Sequence, residues 1–119
     1  MSSIEASCHC GSVRLRIASP PAEVTDCNCS ICRRYGALWA YYSLRQVTLP
    51  APELTETYAW DDRSIAFYRC RRCGCVSHWF PIARADDRMG VNARLMDLDV
   101  VAKARVRRLD GAVSERYVD

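Results

Sequence analysis

The chain has 119 residues, 50% of them hydrophobic and 26% charged, with 5 glycines and 5 prolines. That composition fits one domain over residues 1–119 and excludes a disordered tail, a collagen-like repeat or a low-complexity linker. Seventeen basic against 14 acidic residues give a formal charge of +3, without the block of about five like charges that marks a nucleic-acid tail. No apolar run approaches the roughly 18 residues of a membrane span, so the expectation is a cytoplasmic protein with neither a membrane nor a nucleic-acid partner.

Residues 12–17 alternate Ser12, Arg14 and Arg16 with Val13, Leu15 and Ile17, the period-2 pattern of a strand with one buried face, and Pro20 with Pro21 closes it. Residues 26–30 are small and polar, as turns and caps require. With Asn28 or Ser30 as cap, one short helical turn is expected through Cys32, Arg33 and Arg34, stopped by Gly36. Residues 37–44 are rich in aromatics, and a second strand follows before Pro50 and Pro52. Residues 54–60 and 64–69 make a hairpin around Asp61, Asp62 and Arg63, and its second strand delivers Cys70 into a CxxCG turn. Residues 76–80, 89–96 and 100–106 continue as strands, with a helix over 98–109 as the alternative for the last. Trp39, Tyr41, Trp60, Tyr68, Trp79 and Phe80 are expected mostly in the core, one or two of them lining a pocket. The fold class is therefore mainly β, built from antiparallel sheets around metal.

The eight cysteines supply the metal argument. In a reducing compartment clustered thiols bind metal or react sooner than they pair as disulfides, and zinc is favoured over an iron–sulfur cluster. Tetrahedral zinc with bonds near 2.3 Å sets ligand sulfurs roughly 3.8 Å apart. A CxC on a strand points Cys8 and Cys10 to one side and His9 to the other. A CxxC knuckle closed by Gly74 brings Cys70 and Cys73 together, so these four thiolates complete one structural zinc site.

Cys27, Cys29 and Cys32 offer three thiolates to a second ion. A three-ligand site leaves a fourth position for an outside group, and a soft, thiolate-bound zinc selects a small thiol. Arg33 and Arg34 follow directly and suit carboxylates on such a ligand. Cys75, His78 or Asp26 as the fourth ligand would instead make this site structural too. Cys75 otherwise reads as a small buried hydrophobe, with a redox partner as its other use. Seven thiolates remove seven charges and two zinc ions return four, which takes the +3 to zero and weakens any case for nucleic acid.

The segments CHCGSV at 8–13, CNCSICRRYG at 27–36, CRRCG at 70–74, VNARLMD at 91–97 and RRLDGA at 107–112 resemble the glutathione-dependent formaldehyde-activating enzyme family, in order and over nearly the whole chain. The resemblance implies a β-tent fold with two zinc sites. It implies Cys8, Cys10, Cys70 and Cys73 as structural ligands and Cys27, Cys29 and Cys32 as ligands of the catalytic zinc. The activity it implies is that of a carbon–sulfur lyase, with glutathione as co-substrate, added to formaldehyde to give S-hydroxymethylglutathione. A non-catalytic zinc module, either a glutathione carrier or an interaction scaffold, is the competing reading.

Overall fold

The structure, a computed structural model, describes residues 3–60, 64–82 and 87–119. Strand β1 (Ile4–Ser7) pairs antiparallel with β2 (Arg14–Ile17), and β2 pairs with the two-residue β5 (Val47–Thr48) to complete a three-stranded sheet. The alternation in β2 places Leu15 and Ile17 in the core and leaves Arg14 and Arg16 in solvent. The remaining strands are β3 (Glu23–Cys27), β4 (Trp39–Tyr42), β6 (Thr55–Tyr58), β7 (Ile65–Cys70), β8 (Val76–Pro81), β9 (Met89–Asn92), β10 (Arg105–Asp110) and β11 (Arg116–Tyr117). They form one sheet in the order β11-β10-β3-β4-β9-β8-β7-β6. Its pairings are antiparallel except β10 with β3, which runs parallel. Among the described residues no helix is long and apolar enough to cross a membrane.

The large sheet is apolar on both faces, because neighbouring residues of its central strands point to opposite sides. On one side Ala40, Tyr42, Phe80, Met89 and Val91 pack against Ala6, Leu15 and Ile17 of the small sheet and Val13 just before β2. On the other, Trp39 and Phe67 form a second cluster with Cys27 and Cys32 beneath the short helix α1 (Ser30–Tyr35). Each face therefore carries one group of cysteines, the four-cysteine group with the first cluster and the trio with the second.

Several local expectations need correction. Cys8 and Cys10 do not lie on a strand. They sit in the tight connection between β1 and β2, where Gly11 N–H donates to the Cys8 carbonyl at 3.2 Å and Gly11 takes φ +85°. That turn, rather than strand alternation, brings the two sulfurs together, and His9 lies exposed. The cap of α1 is Cys29 instead of Asn28 or Ser30. Residues 26 and 27 end strand β3 instead of opening a turn. The strand predicted over 89–96 stops at Asn92, whose buried amide accepts from Leu38 N–H and Arg94 N–H and donates to the Val76 carbonyl, which turns the chain into a 3₁₀ segment. Residues 100–103 are not strand: α2 (Leu98–Lys103) precedes β10, with Asp99 in its first turn and Lys103 in its last complementing the helix dipole. Trp60 is 38% exposed and lines a pocket instead of joining the core, as expected of one or two of the aromatics. The hairpin turn expected at Asp61, Asp62 and Arg63 lies outside the described residues.

Candidate functional site

The sulfur atoms of Cys8, Cys10, Cys70 and Cys73 all lie within 4.8 Å of one another, as do those of Cys27, Cys29 and Cys32. In the first group Cys8 and Cys10 are 3.7 Å apart and Cys10 and Cys70 3.6 Å, the separation that four thiolates around one tetrahedral zinc require. Both donor sets are all sulfur, which fits zinc or another thiophilic ion and not a hard cation.

The four-cysteine group is built by two turns. Strand β7 ends at Cys70 just after a bulge at Tyr68 and Arg69, and the knuckle closes with Gly74 at φ +81° and its N–H on the Cys70 carbonyl at 3.0 Å. The Cys70 sulfur accepts from Arg72 N–H at 3.3 Å, from Cys73 N–H at 3.5 Å, and lies 3.1 Å from the Ser12 hydroxyl. Burial alone would raise the Cys70 thiol, but these donors outweigh it and bring the pKa down to about 7. At Cys73 the N–H groups of Cys75 and Cys10 bring it down to about 5. Burial pushes Cys8 up, against the 3.2 Å donation from Val13 N–H. Cys70 and Cys73 are thus held toward the thiolate form, whose charge an ion would neutralise.

The trio is assembled where β3 runs into α1. Cys27 closes the strand, and Cys29 caps the helix by accepting from Cys32 N–H at 3.5 Å. Cys29 N–H in turn lies 3.5 Å from the Cys27 sulfur. Trp39, on the neighbouring strand, donates its indole N–H to the Cys32 sulfur at 3.3 Å. Burial raises Cys27 and Cys32, whereas at Cys29 the donation from Cys32 N–H and the neighbouring thiols overcome burial and lower it. Among the described residues no fourth donor joins the group: Asp26, Cys75 and His78 all stand outside it. Cys75 is half-buried against the four-cysteine side of the molecule, and His78 is buried on that same side.

The sequence reading missed how the trio is held from the other end of the chain. Asn28 N–H donates to the Leu109 carbonyl at 3.1 Å, its side-chain amide donates to Asp110 at 3.0 Å, and its side-chain oxygen accepts from Ala112 N–H at 2.9 Å. Asp110 also accepts from the Ser114 hydroxyl at 2.9 Å. Between these bonds Gly111 lies so near the trio that a Cβ there would stand 2.6 Å from the Cys27 sulfur. The signal available was the Asp110-Gly111 pair, a strong turn marker between two strand-like segments.

A cavity of about 260 Å³ opens on this group. Cys29 and Cys32 form its floor, and Ile31, Trp60, Ser64, Ile65 and Phe67 line the rest. Arg33 and Arg34 lie exposed on α1 and do not line it, and Arg34 donates to the Ser30 carbonyl at 2.8 Å. A group entering the cavity therefore meets two trio cysteines, with Ser64 and largely apolar side chains around it.

Comparison with known proteins agrees with this architecture. A family model described as glutathione-dependent formaldehyde-activating enzyme matches residues 3–108. A Halomonas elongata protein provisionally named as such an enzyme is 56% identical over 32 residues, a stretch that spans 26% of this chain and only 20% of that relative. A crystal structure of a Rhodobacter sphaeroides protein superposes with a TM-score of 0.70 at 25% identity, covering 87% of this chain and 99% of that one.

Proposed function

The chain belongs to the glutathione-dependent formaldehyde-activating enzyme family, and from that premise we propose that it binds glutathione at the Cys27, Cys29 and Cys32 cluster and promotes its addition to formaldehyde or a related aldehyde. The observation that carries this reading is the shared floor of cluster and cavity: three convergent sulfurs without a fourth donor among the described residues, two of them lining a cavity of about 260 Å³. In this reading Cys8, Cys10, Cys70 and Cys73 hold a structural zinc, and residues 1–119 work as one cytoplasmic domain of the β-tent type.

A zinc ion held by the trio supplies Lewis acidity that lowers the pKa of an incoming thiol toward neutrality. The protein's own residues do the positioning. Trp39 fixes Cys32 through its N–H, and Asn28 with Asp110 fixes the loop between Cys27 and Cys29. Ile31, Ile65 and Phe67 keep water from one side of the entering sulfur. Arg33 and Arg34 offer their guanidinium groups to the glutathione carboxylates from the exposed side of α1. In the addition, sulfur bonds to the aldehyde carbon, the carbonyl electron pair moves to oxygen, and the thiol proton ends on the new hydroxyl. The reverse reaction is a carbon–sulfur lyase step.

The test is exchange spectroscopy by NMR of glutathione with formaldehyde in the presence of metal-loaded protein. Adduct formation faster than the uncatalysed rate supports the activity, and its loss in a folded Cys29→Ser variant ties it to the trio. Saturable glutathione binding without acceleration would replace the enzyme by the carrier reading.

A further inference from the structure

A second cavity, of about 290 Å³, lies on the opposite face of the large sheet from the trio. Leu49, Pro50, Pro52 and Phe80 supply apolar walls, and Thr55, Tyr68 and His78 complete the lining. The His78 ring is only 2% exposed and stacks on Tyr68 with centroids 4.6 Å apart. Its Nδ1 lies 2.8 Å from the hydroxyl of Ser77, a side chain with no exposure at all, and that hydroxyl donates to the Tyr68 carbonyl. The Tyr68 carbonyl stands 3.4 Å from that hydroxyl, so the 2.8 Å bond to the ring is the closer one; Ser77 occupies Nδ1, and Nε2 is the ring nitrogen left to a ligand, accepting or donating according to the tautomer.

No protein group among the described residues bonds Nε2, yet no buried side-chain nitrogen or oxygen among them lacks a partner. Both statements hold together only if Nε2 keeps contact with open space, and for a ring this buried that space is the cavity it lines.

We propose that this cavity is a second small-molecule site, separate from the trio, which takes an uncharged and largely apolar molecule with one hydroxyl, an alcohol or a phenol, that bonds His78 Nε2. The volume is about twice the roughly 150 Å³ apolar cavity known to take up benzene. Burial holds the His78 pKa down to about 4, so the ring is neutral and offers no counter-charge to a carboxylate or phosphate. A cation would have to leave water for a wall of Leu, Pro and Phe. Thr55, which also lines the cavity, already donates its hydroxyl to the Pro52 carbonyl at 3.1 Å.

The site makes no use of the trio, so its test is independent of the activity proposed above. Phenol and toluene, alike in shape and differing in one hydroxyl, are titrated into the protein as purified while amide and imidazole ¹⁵N signals are followed by NMR. Phenol is expected to shift the His78 Nε2 signal and the amides of Tyr68 and Phe80 saturably, about tenfold more tightly than toluene, leaving Ile31 and Phe67 unmoved. In a His78→Phe variant the phenol preference should fall to about one. Absence of saturation, equal affinity for the two probes, shifts at the trio cavity instead, or a preference kept by the variant would each overturn the site. Should that variant fail to fold, the Nε2 response of the unaltered protein decides alone: a saturable shift sustains the proposal and an unmoved signal ends it.

Discussion

Substituting Gly111→Ala perturbs the trio without replacing a cysteine. The added methyl would stand 2.6 Å from the Cys27 sulfur and 3.3 Å from the Cys29 Cβ, about 1 Å inside a comfortable contact with the first. Gly111 does not have a positive φ, so the effect is steric and not one of backbone strain. Two elements can yield. If Cys27 moves, the trio loses its convergence. If the 110–112 turn moves, the bonds from Ala112 N–H to Asn28 and from Asn28 to Asp110 are broken. Overpacking of this kind costs about 1–3 kcal/mol. Metal-to-protein ratio by mass spectrometry and urea denaturation are the assays. The expected result is loss or weakening of one ion, retention of the other at the four-cysteine group, and a stability decrease in that range. Val113→Ala, at an 84% exposed position in the same turn, should change neither. A Gly111→Ala protein with full metal content and an unshifted midpoint would refute the claim that this turn supports the trio.

Removing metal with a chelator should lower the melting temperature markedly, because without an ion the turn carrying Cys8 and Cys10 meets the one carrying Cys70 and Cys73 through weak sulfur contacts such as Cys10–Cys70 and Ser12–Cys70; calorimetry of demetallated protein measures this, and an unchanged transition would contradict it. His78 has its pKa held at about 4 in the folded state against 6.5 when unfolded. The unfolded chain therefore takes up the proton first as pH falls. The neutral ring's stability contribution is full above about pH 6.5 and is lost progressively down to about pH 4, to a limit of about 3 kcal/mol. Comparing denaturation curves of the unaltered protein and His78→Phe between those limits isolates the effect from metal release, which both share; parallel pH profiles would count against it. Cys75→Ser should leave the metal content unchanged, since Cys75 belongs to neither sulfur group; a lost ion would show that it ligates.

Much of the site was legible in the sequence because cysteine spacing is a local constraint. A CxxC followed by Gly74 closes a knuckle whatever surrounds it, and three cysteines within six residues converge around a single helical turn. The strand alternation of residues 14–17 was equally local. What escaped depends on distant partners. Strand β3 has Val24 and Thr25 both buried, so it lacks alternation, and it exists as a strand because β10 and β4 pair on its two sides. Residues 98–110 pass from helix to strand at Ala104, and sheet pairing rather than periodicity sets the break. Trp60 looked like core because it follows a strand pattern, but the strand ends at Tyr58 and leaves the indole at the rim of the cavity. The roles of Asn28 and Gly111 require knowing that residue 28 meets residues 110–112, which no short-range pattern contains.

X-ray absorption at the metal edge, with and without glutathione, measures the inequality between the two sulfur groups most directly. With two ions bound, one by four cysteines and one by three, the mean is about 3.5 sulfurs per ion near 2.3 Å, and it should rise to about 4 when glutathione is added. A mean of four sulfurs before addition, or a value that glutathione leaves unchanged, would contradict an open site at Cys27, Cys29 and Cys32.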